Sequence, residues 1–238
     1  MKILYSHRTK SSDGQAVHIR SLTEALVRRG CALDIVGPDA APPGARALDA
    51  QAGVGLRRYL PPAIHEAAEL AYSAPAYWRL NARARTFAPD VLYERYNLFF
   101  HSGVRLARAR NLPLILEVNS PLAEERARHG KLALKPLARW SEHSIWRAAD
   151  HVLPVTQALA DYVVAAGVAP ERITVIPNGV ERAFLSEHDP RGVRARYGLV
   201  GKIVLGFTGF VRDWHGLDRV VSYLHERRRE DLALLIVG

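Results

Sequence analysis

The sequence predicts an α/β fold, a mainly parallel sheet flanked by helices, followed by the opening of a second unit of the same kind. Three observations carry this. Short β-branched or apolar runs alternate with longer segments of helical period, the pattern of βαβ units. The run Pro113 to Val118 is apolar along its length, as expected of a strand covered on both faces. After a polar stretch punctuated by Pro190, Gly192, Gly198 and Gly201, the run Lys202 to Phe207 restarts the rhythm.

Taken in order, the first strand is Lys2 to Ser6, followed by a polar loop with Ser11, Ser12, Asp13 and Gly14. A helix follows with Ile19, Leu22 and Leu26 on one face and its end at Gly30, and then a strand from Ala32 to Gly37. Pro38 to Gly55 has no period and reads as a loop before a short strand at Leu56 to Leu60. Two helical pieces span Pro62 to Phe87, with the break expected at Pro75 because an interior proline loses a hydrogen bond and clashes. Val91 to Glu94 is a strand, Leu98 to Arg110 a helix, and Pro113 to Val118 the central strand. Ser120-Pro121 reads as a cap and first helical residue, with Glu124 and Glu125 suiting the positive helix end; helical structure continues, broken near Gly130, to Ala149. His151 to Pro154 is a strand, Thr156 caps a helix ending at Gly167, and Ile173 to Ile176 is the last strand of the series. In the second unit, Leu217, Val220, Val221 and Leu224 give a helix its apolar face before the strand Leu232 to Val237. The expected organisation is a first domain over residues 1–185, a linker over 186–201 containing one short helix, and the start of a second domain over 202–238.

Composition narrows the class. Hydrophobic residues make up 48% and charged residues 24% of the 238, so the chain can bury a core and disorder is not the default. No apolar run reaches the roughly 18 residues of a membrane span, and the N-terminus reads as a strand and not as a signal peptide. A single cysteine, Cys31, excludes an internal disulfide and a Cys-rich zinc site; the expected compartment is the cytoplasm. The formal charge of +9 attracts anionic partners or marks a solvated basic surface.

Several nucleotide signatures are missing. Neither G-x-x-x-x-G-K-[ST] nor G-x-G-x-x-G after the first strand occurs, which lowers ATPase and nicotinamide-dehydrogenase readings. With no Asp-x-Asp pair and no His/Cys cluster, no carboxylate-held metal and no cofactor is expected. A bound diphosphate would then be met by cations and helix N-termini, at loops following the carboxyl ends of parallel strands. Gly14 at the start of the first helix is one such place.

The segment Val152-Leu153-Pro154-Val155-Thr156, then Gly167-Val168, then Ile173-Thr174-Val175-Ile176-Pro177-Asn178-Gly179-Val180-Glu181 resembles the end of the first domain in glycosyltransferase family 4. The resemblance extends to Gly14-Gln15-Ala16-Val17-His18 near the start and to Lys202 through Gly209 with Trp214-His215-Gly216-Leu217 near the end. It implies a GT-B fold, two Rossmann-like domains facing each other across a cleft, the first holding acceptor and the second nucleotide-sugar. The implied reaction is metal-independent sugar transfer from a nucleotide-sugar donor to a glycan, lipid-linked or small-molecule acceptor, with retention at the anomeric carbon. A GT-B sugar 2-epimerase and a non-catalytic glycan or phosphate binder are the rival readings. The chain is read as stopping inside the second domain.

The resemblance carries over unevenly to residues. Many members place Arg and Lys on the diphosphate where this sequence has Phe210 and His215, so Gly209, Arg212 and His215 become the donor-side candidates, Arg212 supplying the charge. Many also carry a His-Asp pair where this sequence has Asn119 and Ser120; Asn119 and the neighbouring Glu117 are therefore the catalytic candidates, Glu117 pointing either into the sheet or into the cleft. Arg95, Tyr96 and Asn97, at the end of the Val91 strand, together with His18, suit acceptor recognition; the competing readings are a surface ion pair of Glu94 with Arg95, a helix cap at Asn97 and a surface histidine. Arg57, Arg58, Trp78, Arg79, Arg83 and Arg85, with Lys131, Lys135, Arg139, Trp140, Trp146 and Arg147, mix cations and indoles on helices, which suits an anionic membrane surface and a peripheral location on its cytoplasmic face. A nucleic-acid partner is not expected, because no recognised module accompanies the charge.

Overall fold

In the computed structural model, residues 1–9, 14–38, 61–130, 132–180, 185–212 and 215–238 are described. The expected strand at Leu56 to Leu60, the loop residues Ser11, Ser12 and Asp13, most of the Pro38 to Gly55 loop, and Lys131, Glu181 and Trp214 lie outside them. Strand β1 (Lys2–Ser6) pairs with β2 (Ala32–Val36) on one side and β3 (Val91–Arg95) on the other; β4 (Leu114–Val118) and β5 (His151–Pro154) follow. All pairings are parallel, in the order β2-β1-β3-β4-β5. Parallel neighbours need crossovers, and helices supply them: α1 (Gly14–Arg28), α2 (Pro62–Ala71), α3 (Ser73–Phe87), α4 (Ser102–Arg110), α5 (Leu122–His129), α6 (Lys135–Ala148) and α7 (Gln157–Ala165). The apolar strand residues Leu4, Leu92, Leu114, Leu116 and Val152 are fully buried and pack with Leu80, Leu106, Ile145 and Trp146 from the helices.

Local chemistry sets the element ends. Gly30 takes φ +81 and closes α1, with its N–H on Val27 O at 2.9 Å and that of Cys31 on Leu26 O at 3.1 Å. The Thr156 hydroxyl accepts from Leu159 N at 3.1 Å and caps α7. Four expectations are corrected. The break between the two helical pieces falls at Tyr72, and Pro75 sits in the first turn of α3, where its missing N–H costs nothing. Leu98 to His101 precede α4 as a turn with Phe99 at φ 63; their apolar character reflects burial beside Ala123, Leu132 and Ala138. Ser120 donates to Glu125 and does not cap α5, whose cap position is Pro121. Ile173 makes a single parallel bridge to Val152 in place of a strand, Thr174 N and Ile176 N donating to Val152 O and Pro154 O.

The chain divides into two compact units, Met1–Gly179 and Val180–Gly238. Taken by itself, the second comprises α8 (Arg191–Arg196), then β6 (Ile203–Thr208), α9 (Leu217–Arg227) and β7 (Leu232–Val237), with β6 and β7 parallel over six register pairs.

One glycine is dictated by a neighbour. A Cβ on Gly103, in the first turn of α4, would lie 2.3 Å from Glu94 Oε2, because the Glu94 carboxyl sits against that helix end and accepts the Gly103 N–H. Gly103→Ala is expected to destabilise the fold by about 1–3 kcal/mol, read by chemical denaturation, despite alanine's higher helix propensity.

Candidate functional site

The order β2-β1-β3-β4-β5 reverses between β1 and β3, and open sheets of this kind hold ligands outside the carboxyl ends of the strands at that point. Here those ends carry Ser6, Glu94, Arg95 and Glu117. Parity sorts them. Successive residues of a strand face opposite sides, so Tyr93 and Arg95 project to one side of the sheet and Glu94 to the other. The register pairs Arg95 with Glu117 on adjacent strands.

Glu117 is the hub of the first side. It is 3% exposed and accepts four hydrogen bonds: from Arg95 Nη1, from Asn119 Nδ2 at 2.6 Å, from His18 Nε2 at 3.0 Å and, on its other oxygen, from Tyr93 OH at 3.0 Å. Burial pushes the carboxyl up. The hydrogen bonds from His18 and Asn119 and the Arg95 charge outweigh it, leaving Glu117 below the usual carboxylate range. Three of these bonds converge on Oε1 and one falls on Oε2, so both oxygens of the carboxylate are engaged. Glu117 therefore orients its donors. The groups left reachable are the His18 ring, with 22% of its side chain exposed, and Asn119, which is half-buried. Behind them Tyr93 stacks on Tyr5 at 5.2 Å, and burial followed by the Glu117 charge raises both phenols.

Glu94 faces the other side and is 1% exposed. The competing reading of a surface ion pair with Arg95 does not hold, because the two side chains leave the strand in opposite directions. Burial raises the Glu94 carboxyl to about 8 against weaker opposition from the Ser6 hydroxyl, which donates at 3.1 Å, the Gly103 N–H and the Arg8 charge. Arg8 lies over the rings of Tyr72 and Phe100, 4.7 and 5.1 Å from their centroids.

Of the sequence candidates, Glu117, Asn119, His18 and Arg95 thus converge. Tyr96 does not join them: it is buried against Trp146, and its hydroxyl donates to Glu142 at 2.9 Å. Asn97 lies in the turn before α4, its carbonyl accepting Phe100 N at 3.3 Å, and the cap position of α4 is His101. Gly14 opens α1 with nothing within 4 Å of a built Cβ, so no described neighbour demands a glycine there. In the second unit, Gly209 follows β6 at φ +127, His215 packs against Phe207 at 4.9 Å, and its Nδ1 accepts Arg212 N at 3.1 Å. Sequence reasoning missed Tyr93, Ser6 and Arg8; strand parity points to Tyr93, which shares the Arg95 side. Among the described residues, no three His, Cys, Asp or Glu gather as metal ligands.

Residues 12–184 match the model of Glycosyltransferase Family 4. A curated relative, D-inositol 3-phosphate glycosyltransferase 1 of Catenulispora acidiphila, is 30% identical over 149 residues, 61% of this chain and 36% of the relative, so the chain spans about a third of that protein's length. Among solved structures, Anabaena HepE in complex with UDP and glucose superposes at TM-score 0.66 and 14% identity over 100% of this chain and 61% of its own. Sucrose-phosphate synthase from Thermosynechococcus elongatus gives 0.62 at 14% identity, covering 100% and 71%. UDP-GlcNAc 2-epimerase from Neisseria meningitidis, bound to UDP-GlcNAc, gives 0.58 at 9% identity, covering 99% and 65%. At these identities the structural likeness establishes the shared GT-B architecture.

The raised Glu94 carboxyl carries a linkage consequence. Its folded pKa lies above the unfolded value of 4.5, so its stabilisation is complete below pH 4.5 and is lost as pH rises through about 8. Glu94→Gln cannot ionise. Between pH 5 and 8 the wild type should lose stability relative to this variant by up to about 1.4 kcal/mol per pH unit in chemical denaturation; parallel pH profiles would contradict the assignment.

Proposed function

The chain belongs to glycosyltransferase family 4, and from that membership we propose that the protein carrying it is a retaining glycosyltransferase. It moves a sugar from a nucleotide-sugar donor to a glycan, lipid-linked or small-molecule acceptor: the sugar–phosphate bond breaks, a bond forms between the acceptor oxygen and the anomeric carbon, the nucleoside diphosphate leaves, and the acceptor hydroxyl gives up its proton. The observation that carries this reading is the Glu117-centred cluster at the strand ends of a family 4 first domain. With Nε2–H donating to Glu117, a neutral His18 has Nδ1 as its proton-accepting nitrogen. Asn119, having spent Nδ2 on Glu117, keeps Oδ1 for a sugar hydroxyl. His18 and Asn119 are thus the acceptor-contacting residues, and Glu117 and Arg95 position them.

The donor diphosphate is assigned to Gly209, Arg212 and His215 of the second unit, without a resident metal or other cofactor. A guanidinium and helix N-termini supply the positive field such a leaving group requires. The UDP complexes of HepE and of the Neisseria epimerase support a uridine donor. The net charge of +9 supports work on lipid-linked acceptors at the cytoplasmic face of an anionic membrane, in cell-envelope polysaccharide synthesis, with no nucleic-acid partner.

The test is nucleotide release by the natural protein across a panel of UDP- and GDP-sugars, with and without glycan and lipid-linked acceptors. Acceptor-stimulated release is expected. His18→Ala should lower acceptor-dependent kcat/KM by about 100-fold while leaving acceptor-independent donor hydrolysis unchanged. Release that no acceptor accelerates would favour the 2-epimerase reading, and no release at all the binder.

A further inference from the structure

The basic and aromatic residues that the sequence grouped together separate in the structure. Trp146 is 1% exposed and belongs to the core. Arg83 is engaged by Asp34 through two hydrogen bonds, and Arg79 lies over the Tyr72 ring and donates to its hydroxyl. Arg57, Arg58 and Lys131 lie outside the described residues. What remains concentrates on α6. There Lys135, Arg139, His143 and Arg147 recur every fourth residue and so stack along one helix face, with Pro136 and Trp140 beside them. These six residues line a shallow cavity of about 390 Å³.

Two features set this face apart. Its charge is not neutralised: among the described residues neither Lys135 nor Arg139 forms an ion pair, whereas Arg83, Arg126 and Arg128 are each held by a carboxylate. Of the nearby acids, Glu124 is paired with Arg128, and Glu142 is buried, accepting from Tyr96 OH and Ala123 N. The second feature is Trp140, 55% exposed yet fixed, its ring stacked on His101 at 5.6 Å while His101 Nε2 meets Ser141 Oγ at 3.0 Å. Burial and then the charges of Arg105 and Arg108 lower the His101 pKa, so those two exposed α4 guanidinia lie within electrostatic reach of the same ring pair.

An exposed, immobilised indole among unpaired cations matches the chemistry of a phospholipid interface, where cations meet phosphates and indoles sit at the headgroup level. Single-stranded nucleic acid asks for several rings on which successive bases stack, and this face presents one. We propose that the exposed face of α6, extended by Arg105 and Arg108 of α4, docks the protein on an anionic phospholipid bilayer. This deepens the proposed transfer to a membrane-borne acceptor and rests on it for its purpose. Vesicle binding is read without turnover, so the two fail separately.

The experiment is co-sedimentation of the 238-residue chain with phosphatidylglycerol/phosphatidylcholine vesicles and with pure phosphatidylcholine vesicles, at low and high salt. Binding should require the anionic lipid and weaken with salt. Each cation near the surface is worth about fivefold in affinity, so the double reversal Lys135→Glu/Arg139→Glu should weaken binding by at least about 25-fold. The charge-matched reversal Arg20→Glu/Arg29→Glu, on α1 and in the turn that follows it, should stay within about threefold of wild type, with circular dichroism checking that both variants fold. Brominated lipid should quench Trp140, an effect lost in Trp140→Phe and kept in Trp78→Phe. No binding to anionic vesicles at low salt, equal loss in the two reversals, quenching unchanged in Trp140→Phe, or preferential binding of single-stranded RNA would each overturn the proposal.

Discussion

A strand, a loop and a helix meet in one carboxylate. Glu117 draws Tyr93 and Arg95 from the neighbouring strand, Asn119 from the loop beyond its own, and His18 from a helix 99 residues earlier in the chain. A buried carboxylate is costly unless it is hydrogen-bonded, and here both oxygens accept, Oε1 from three donors and Oε2 from one. That constraint fixes the Arg95 rotamer, decides which His18 nitrogen faces inward, and consumes half of the Asn119 amide. The chemistry left for a ligand is what remains after Glu117 has been satisfied, namely one imidazole nitrogen and one amide oxygen.

The opposite side of β3 shows the other solution to the same problem. Glu94 has only a hydroxyl, one helix N–H and a more distant guanidinium, too little to offset its burial, so its carboxyl is pushed up where Glu117 is pulled down. Two adjacent strands thus present two glutamates in opposite regimes. The divergence follows from strand parity: Glu117 shares a side with Arg95, and Glu94 does not.

Much of this architecture is legible in the sequence. Strand alternation, the Gly30 stop and the Thr156 cap are local signals, and local signals survive folding. The misreadings share a cause, since each turns on a contact made at a distance. Leu98 and Phe99 look helical because they are apolar, but they are apolar to fill a core shared with α5 and α6. Tyr96 looks like a binding residue because it leaves an apolar strand, but Trp146 and Glu142 claim it. Asn119 beside Glu117 can be anticipated from a two-residue spacing. His18 on Glu117 cannot, because the contact exists only once the fold brings the first turns of α1 to the carboxyl end of β4. Family resemblance supplied the function class, which neither spacing nor charge determines.

The central claim is that Glu117 is an ionised, hydrogen-bonded hub on which the site is built. It is tested most directly by the unfolding free energy of Glu117→Gln against wild type, measured at pH 7 and again at pH 4. Removing the charge leaves Arg95 buried without its partner, so a loss of about 3–5 kcal/mol is expected at pH 7. The Glu117 pKa is depressed in the fold, so its stabilisation is present above the unfolded value and fades as pH falls; the gap between the two proteins should therefore shrink at pH 4. A variant within about 0.5 kcal/mol of wild type at pH 7, with the same dependence on pH, would contradict the account.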